Sequence, residues 1–249
     1  MRAVVVLPSI DVDYTRACLA TARFVENVPV STNYHGDTVI MNGRWEPGDV
    51  GPRDRLVAVY NTPRYNRGVA GSWNLGIEEA LASEAEWLVL LSAAVRFGPP
   101  GGLDFLAALT DPNLEFPHGI PALEAGDGLG WHLIAFRRDL LLRVGYFDEM
   151  FLAYMEDIDY SRRIQLAYGV DSMAPGFVGP LWPKVPVDAR LDSVAHGIKR
   201  GGVVIDFAGN ERIYRAKWGG LSQHEVFDYP YNDPTLAGDF IGAYPMEAR

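Results

Sequence analysis

Five carboxylates crowd the stretch from Val144 to Ile164: Asp148, Glu149, Glu156, Asp157 and Asp159. Tyr146, Phe147, Phe151 and Tyr154 are interleaved with them. A solvated acidic face does not carry so many aromatics. Acids set among aromatic rings lose part of their hydration. That lifts a carboxylate toward the range in which it can take or give a proton near neutral pH.

The second half of this stretch has helical spacing from Glu156 onward. At 100° per residue, Asp157, Tyr160, Ile164, Ala167 and Tyr168 share one side. Asp157 therefore heads the apolar face and is expected to point toward the body of the protein. Asp159 falls outside that face, at ion-pair spacing from Arg162 and Arg163. Asp157, with Glu156 beside it, is thus the candidate for proton transfer, and Asp159 a structural acid. Acids at a helix start are also favoured by the helix dipole, so spacing alone leaves both readings of Asp157 open.

The whole chain limits what such a site can serve. Its 249 residues suit one large α/β domain with or without a tail. The formal net charge of −10 has no compensating basic cluster, which argues against nucleic acid or an anionic membrane as partner. A single cysteine, Cys18, excludes an internal disulfide and a multi-cysteine zinc site. No signal peptide and no membrane span are expected, so the expected location is the cytoplasm.

The elements that must position the acids follow in order. The β-branched run ending at Leu7 predicts a buried parallel strand, and Tyr14 to Phe24 a helix. A strand followed by a helix opens a doubly wound sheet, whose ligands bind at the carboxyl ends of strands. Pro8, Ser9 and Ile10 are then placed to touch a ligand. Asp37 to Met41 predicts a second strand closed by an Asn42-Gly43 turn, and Leu56 to Tyr60 a third. The segment Asn61 to Ala80 carries Asn66, Gly68, Gly71, Asn74 and Gly76 and opens a helix whose N-terminus could receive an anion. Arg64 and Arg67 could supply the positive charge that the acidic chain lacks. Trp87 to Leu91 predicts the central strand, Pro99 to Thr110 a helix, and Gly130 to Phe136 a strand. Asp139 is expected to cap a helix from Leu140 to Val144, and Val170 to Ala174 reads as strand-like.

Gly145-Tyr-Phe-Asp-Glu-Met-Phe151 followed by Glu156-Asp-Ile-Asp-Tyr-Ser-Arg-Arg163 resembles the signature of family 2 glycosyltransferases. The segment with Asn66-x-Gly68 and Asn74-x-Gly76, and the ending Tyr214-Arg-Ala-Lys-Trp-Gly-Gly220, resemble further segments of that family. The resemblance covers roughly residues 1–220. It implies a single GT-A-like, Rossmann-related α/β domain with a mixed, mostly parallel central sheet, and leaves 221–249 as a C-terminal tail on the domain or in an oligomer interface. It implies an inverting hexosyl transfer from a nucleotide-diphosphate sugar to a hydroxyl of a glycan or protein-linked acceptor, with Asp157 as general base beside Glu156. Donor contacts would come from Pro8, Ser9, Ile10, Asn42, Asn66, Arg67, Gly68, Ser72, Asn74, Ser92, Ala93, Ala94 and Lys217, and acceptor contacts from Trp131 and His132. It further implies Mn2+ or Mg2+, with His196 as a ligand. The chain departs from the pattern at the end of the Trp87 strand. Where the family places a metal-binding Asp-x-Asp, Ser92-Ala93-Ala94 stands, and alanine cannot ligate a metal. That departure supports an alternative: a binder of nucleotide sugar or glycan that does not turn over.

Overall fold

The structure is a computed structural model, and it describes residues 1–9, 11–25, 37–45, 55–60, 68–126, 128–175, 177–192 and 205–236. Within these, nine strands and six α-helices form. The strands are β1 (Arg2–Ser9), β2 (Asp37–Arg44), β3 (Arg55–Tyr60), β4 (Trp87–Leu91), β5 (Val95–Phe97), β6 (Ala122–Ala125), β7 (Leu133–Arg137), β8 (Lys184–Val185) and β9 (Ala189–Leu191). The helices are α1 (Val12–Thr21), α2 (Gly68–Ala82), α3 (Leu103–Leu109), α4 (Arg138–Val144), α5 (Glu156–Tyr168) and α6 (Phe207–Trp218).

Seven strands form one sheet in the order β3-β2-β1-β4-β7-β6-β8, and β5 pairs with β9 in a separate ribbon. Side chains of β1 alternate between two cores, because successive residues of a strand point to opposite faces. Ala3, Val5 and Leu7 join Val89, Leu91 and Ala135 against α1 and α3, through Cys18, Phe105 and Leu106. Val4 and Val6 join Leu88, Leu90, Ile134 and Phe136 against α2, α4 and α5, through Ile77, Leu140, Tyr160 and Ile164. Both faces of the sheet are covered, which is why β1 and β4 read as continuous apolar runs.

The expectation of a mostly parallel, GT-A-like sheet is overturned. Only β1–β4 and β6–β8 pair in parallel; β1–β2, β2–β3, β4–β7 and β6–β7 are antiparallel. The physical reason is that β2 and β7 run against their neighbours. Hydrophobic patterning shows that a strand is buried but not which way it runs. Local boundaries differ as well. β2 continues through Asn42 and Gly43 to Arg44, so these residues do not form a closing turn. Gly130–His132 is a 3-10 turn, not the start of β7. Arg137 occupies the cap of α4, and Asp139 lies in its first turn. Val170 to Ala174 is turn, not strand.

α2 approaches β1 so closely that only glycine fits at one contact. A Cβ on Gly76 would lie 2.7 Å from both Cβ and Cγ1 of Val6. Overpacking of this kind costs about 1–3 kcal/mol. Gly76→Ala is therefore expected to lower the unfolding free energy by that amount, read as a lower urea midpoint at an unchanged slope. A neutral result would show that α2 can slide on the sheet.

Candidate functional site

β1 and β4 lie side by side and end at the same edge of the sheet, with Val6 opposite Leu90. Pro8 and Ser9 therefore stand beside Ser92, Ala93 and Ala94. Reversed β7 starts at this edge, and the Ser92 N–H donates to the His132 carbonyl at 2.8 Å. His132 is half-buried there, and Asp157 is near enough for each to act on the other's charge. Strand ends, His132 and the start of α5 thus converge.

The approach to α5 is fixed on both sides. The Asn74 amide donates to the Phe147 carbonyl at 3.0 Å and to Glu149 at 3.0 Å, and its oxygen accepts the Phe147 N–H at 2.7 Å. Tyr160 stacks on Phe147 with ring centroids 3.9 Å apart and donates to the Gly145 carbonyl at 2.9 Å. The Val69 N–H donates to Leu152 O at 2.8 Å, and a Cβ on Gly68 would sit 1.9 Å from that same oxygen. The chain then passes through two left-handed residues, Tyr154 (φ 66°) and Met155 (φ 72°), before α5 begins. Neither is glycine, so each conformation costs roughly 1–2 kcal/mol. The Asn210 side chain donates to the carbonyls of Ala153 and Tyr154 across this turn.

Two turns further along α6, Lys217 is buried with its ammonium 2.7 Å from Asp148 and 2.8 Å from Asp159. Asp159 has no exposed surface and also accepts from Arg163 at 3.0 Å and Trp218 Nε1 at 2.8 Å. It lies inside the protein, although helical spacing put it off the apolar face. Its buried side rests on α6, which the helix pattern of α5 cannot reveal. Burial works to raise the Asp148 carboxyl, but the charge and hydrogen bond of Lys217, with the Met150 N–H and Arg163, bring it below its ordinary value. Lys217 is committed to these two carboxylates.

The neighbouring acids are in the opposite condition. Glu156 is 6% exposed, and its Oε2 has no hydrogen-bond partner among the described residues. Burial, helped by the charge of Asp157, pushes the Glu156 carboxyl up to about 8. Burial also raises Asp157, opposed by the backbone N–H groups of Ile158 and of Asp157 itself and by His132. Burial lowers His132, and Asp157 offsets part of that. The arrangement favours a protonated Glu156 and a neutral His132 imidazole, with an Asp157 that ionises less readily than a free aspartate. It offers one hydrogen-bond donor and one proton acceptor side by side.

The metal expectation is corrected. Among the described residues, no group of three or more His, Cys, Asp or Glu side chains could hold a metal ion. At the strand end where the resemblance puts the metal carboxylate, the Ala93 carbonyl accepts from the Arg96 guanidinium at 2.6 Å. The Ala94 carbonyl accepts the Asp192 N–H at 2.9 Å. The Arg96 guanidinium, buried at this strand end and 2.9 Å from Asp192, brings a positive charge that opposes a divalent cation there. These residues do not fit a metal. His196 lies outside the described residues, as do Ile10, Asn66 and Arg67.

The other expected contact residues have the following partners. Asn42 pairs with Val4 across β1, five residues short of Ser9, so about 16 Å of strand separates them. Its amide ties Arg2 and Glu79 at 3.0 and 2.8 Å. Ser72 bonds back to the Gly68 carbonyl at 2.9 Å. Trp131 packs among Trp73, Phe136, Phe147, Tyr160 and Trp182. Sequence reasoning missed Asn210 and the exposed Tyr154–Phe207 pair, 4.6 Å apart at the rim of the turn. Their one signal was Asn210 itself, a weak helix former inside a helix.

Comparisons with protein-family models and with curated protein sequences find no match for this chain.

Glu156 gives a stability test. Its folded pKa lies above its unfolded value of 4.5, so the folded state holds the extra proton between 4.5 and about 8. Stability must therefore fall as pH rises through that window. Glu156→Gln keeps the neutral shape and removes this penalty. Thermal unfolding should show the variant on the order of a few kcal/mol more stable than wild type at pH 8.5, with the gap closing toward pH 4.5. A gap independent of pH would mean that Glu156 does not carry the proton.

Proposed function

We propose that this protein is an inverting glycosyltransferase moving a sugar from a nucleotide-diphosphate sugar to a hydroxyl of a glycan or protein-linked acceptor. The observation that carries the reading is the buried Glu156 next to a half-buried Asp157 that lies close to His132 where β1 and β4 end. A carboxylate kept partly from water and raised above its ordinary range, next to a neutral imidazole, suits removal of a hydroxyl proton. In this reading the acceptor oxygen attacks the anomeric carbon as Asp157 takes its proton. The bond from that carbon to the diphosphate oxygen breaks on the opposite face, which inverts the configuration. Protonated Glu156 donates to the acceptor through the oxygen that the protein leaves unpaired. Pro8, Ser9 and Ser92 border the donor. A cytoplasmic location belongs to the same proposal. It fits a free, buried Cys18 thiol and described helices of which none is long and apolar enough to cross a membrane.

The alternative, binding without turnover, is favoured by one feature: alanines and a buried Arg96 stand at the strand end.

The test combines nucleotide binding by titration calorimetry with nucleotide-diphosphate release from a panel of nucleotide sugars. Asp157→Asn is expected to lower kcat about 10²- to 10⁴-fold while leaving nucleotide affinity in place. The acid limb of the wild-type rate should lie above the ordinary carboxylate range, because Asp157 must lose its proton to act. Binding with no release by wild type would favour the non-catalytic reading. No binding of any nucleotide sugar would sink both.

A further inference from the structure

We propose that Asn210 is a positioning residue: its amide clamps the left-handed turn at Ala153–Met155 and so sets where the Glu156–Asp157 pair is held. The meaning of this for catalysis rests on the transfer reading above; the positioning itself does not.

The geometry carries the inference in three steps. First, the turn is held by the fold against its own preference. Tyr154 and Met155 are consecutive non-glycine residues at φ 66° and 72°, and α5 starts at the next residue. A backbone of this kind persists only when its surroundings over-determine it. Second, the Asn210 side chain supplies that determination. It is 7% exposed and donates to two successive carbonyls, those of Ala153 and Tyr154, the latter at 3.2 Å. Holding the carbonyls of two successive peptide planes fixes the direction of the chain as it enters the helix. Third, Asn210 is anchored from below. It shares the buried face of α6 with Tyr214, Lys217 and Trp218, and Lys217 and Trp218 bind Asp159 in the first turn of α5. One face of α6 thus grips α5 at its first turn and the turn that precedes it. Glu156 and Asp157 lie between the two grips.

The division of labour is specific. The Lys217–Asp159 contact fixes the helix, and its loss endangers the fold. The Asn210 contacts fix only the turn, whose relaxation would let water reach Glu156. Tyr154 is 40% exposed and rests on Phe207, so glycine at 154 sacrifices little packing and adopts the left-handed conformation freely.

The experiment is a side-chain carboxyl NMR titration of isotope-labelled full-length protein, with the Glu156 signal identified by its loss in Glu156→Gln. The ionisation of Glu156 reports its burial whether or not the protein is a transferase. Asn210→Ala should keep a cooperative thermal transition and move the Glu156 midpoint down by about one pH unit or more as water enters. Asn210→His, whose ring Nδ1–H can take the amide's place, should move it back. In N210A, adding Tyr154→Gly should restore the midpoint, because the turn then holds itself. Where wild type transfers sugar, N210A should lose roughly 10-fold or more in kcat with donor KM unchanged. A folded N210A with the wild-type Glu156 midpoint would overturn the proposal. So would failure of both N210A and N210A/Y154G to fold, since Asn210 would then serve global stability alone. Absence of transfer by wild type, with the midpoint shifts intact, would count against the transfer reading and support the positioning.

Discussion

A single carboxylate, Asp159, holds the functional half of the molecule together. It is fully buried and receives Lys217, Arg163 and the Trp218 indole N–H at once. Burying a charge is tolerable only when its hydrogen-bonding capacity is met, and here three donors from two helices meet it. The consequence is mutual dependence. α6 has a charged residue inside the protein because α5 supplies the counter-charge, and α5 keeps an acid in its core because α6 answers it. Lys217 also reaches Asp148, so the Gly145–Phe151 segment is drawn into the same assembly. The chain after α6 turns back on it as well: Val226 and Phe227 both donate to the Trp218 carbonyl at 3.1 Å.

Against that satisfied acid, the unsatisfied Glu156 three residues earlier gains its meaning. The same helix start carries a carboxylate answered by three donors and a carboxyl oxygen answered by none among the described residues. A stretch selected for stability alone has no reason to leave Glu156 Oε2 bare in a dry setting, since an unpaired buried polar atom costs about 1–3 kcal/mol. Expense of this kind is usual where a ligand completes the hydrogen bonding.

Much of this was legible in the residues. The apolar run at β1, the central place of the Trp87 strand and the helix from Glu156 follow from burial patterns with periods of 2 and 3.6. Such patterns say which side of an element is covered; they do not say by what. That is why Asp159 and Lys217 were separated on paper and meet in space. It is also why the clasp of Asn74 on Phe147 was invisible, where the family resemblance implied only a donor contact. Strand direction was illegible for a related reason. An alternating or continuous apolar strand buries the same side chains whichever way it runs. With β2 reversed, Asn42 moved from the ligand edge to the far end of the sheet. The Ser92–Ala94 departure was visible, but its explanation, Arg96, follows two residues later and looked like any scattered arginine.

The far margin of the sheet has a consequence of another kind. β8 is two residues long, stands between Pro183 and Pro186, and presents Lys184 outward while its ammonium pairs with Glu124 at 2.9 Å. A sheet margin offers unpaired backbone groups that a stranger's strand can copy, and aggregation starts there. Here the docking strip is too short to recruit a neighbour. Proline interrupts it on both flanks, and it carries a charge that resists being buried under another chain. The molecule is thereby defended against growing by strand addition along this margin.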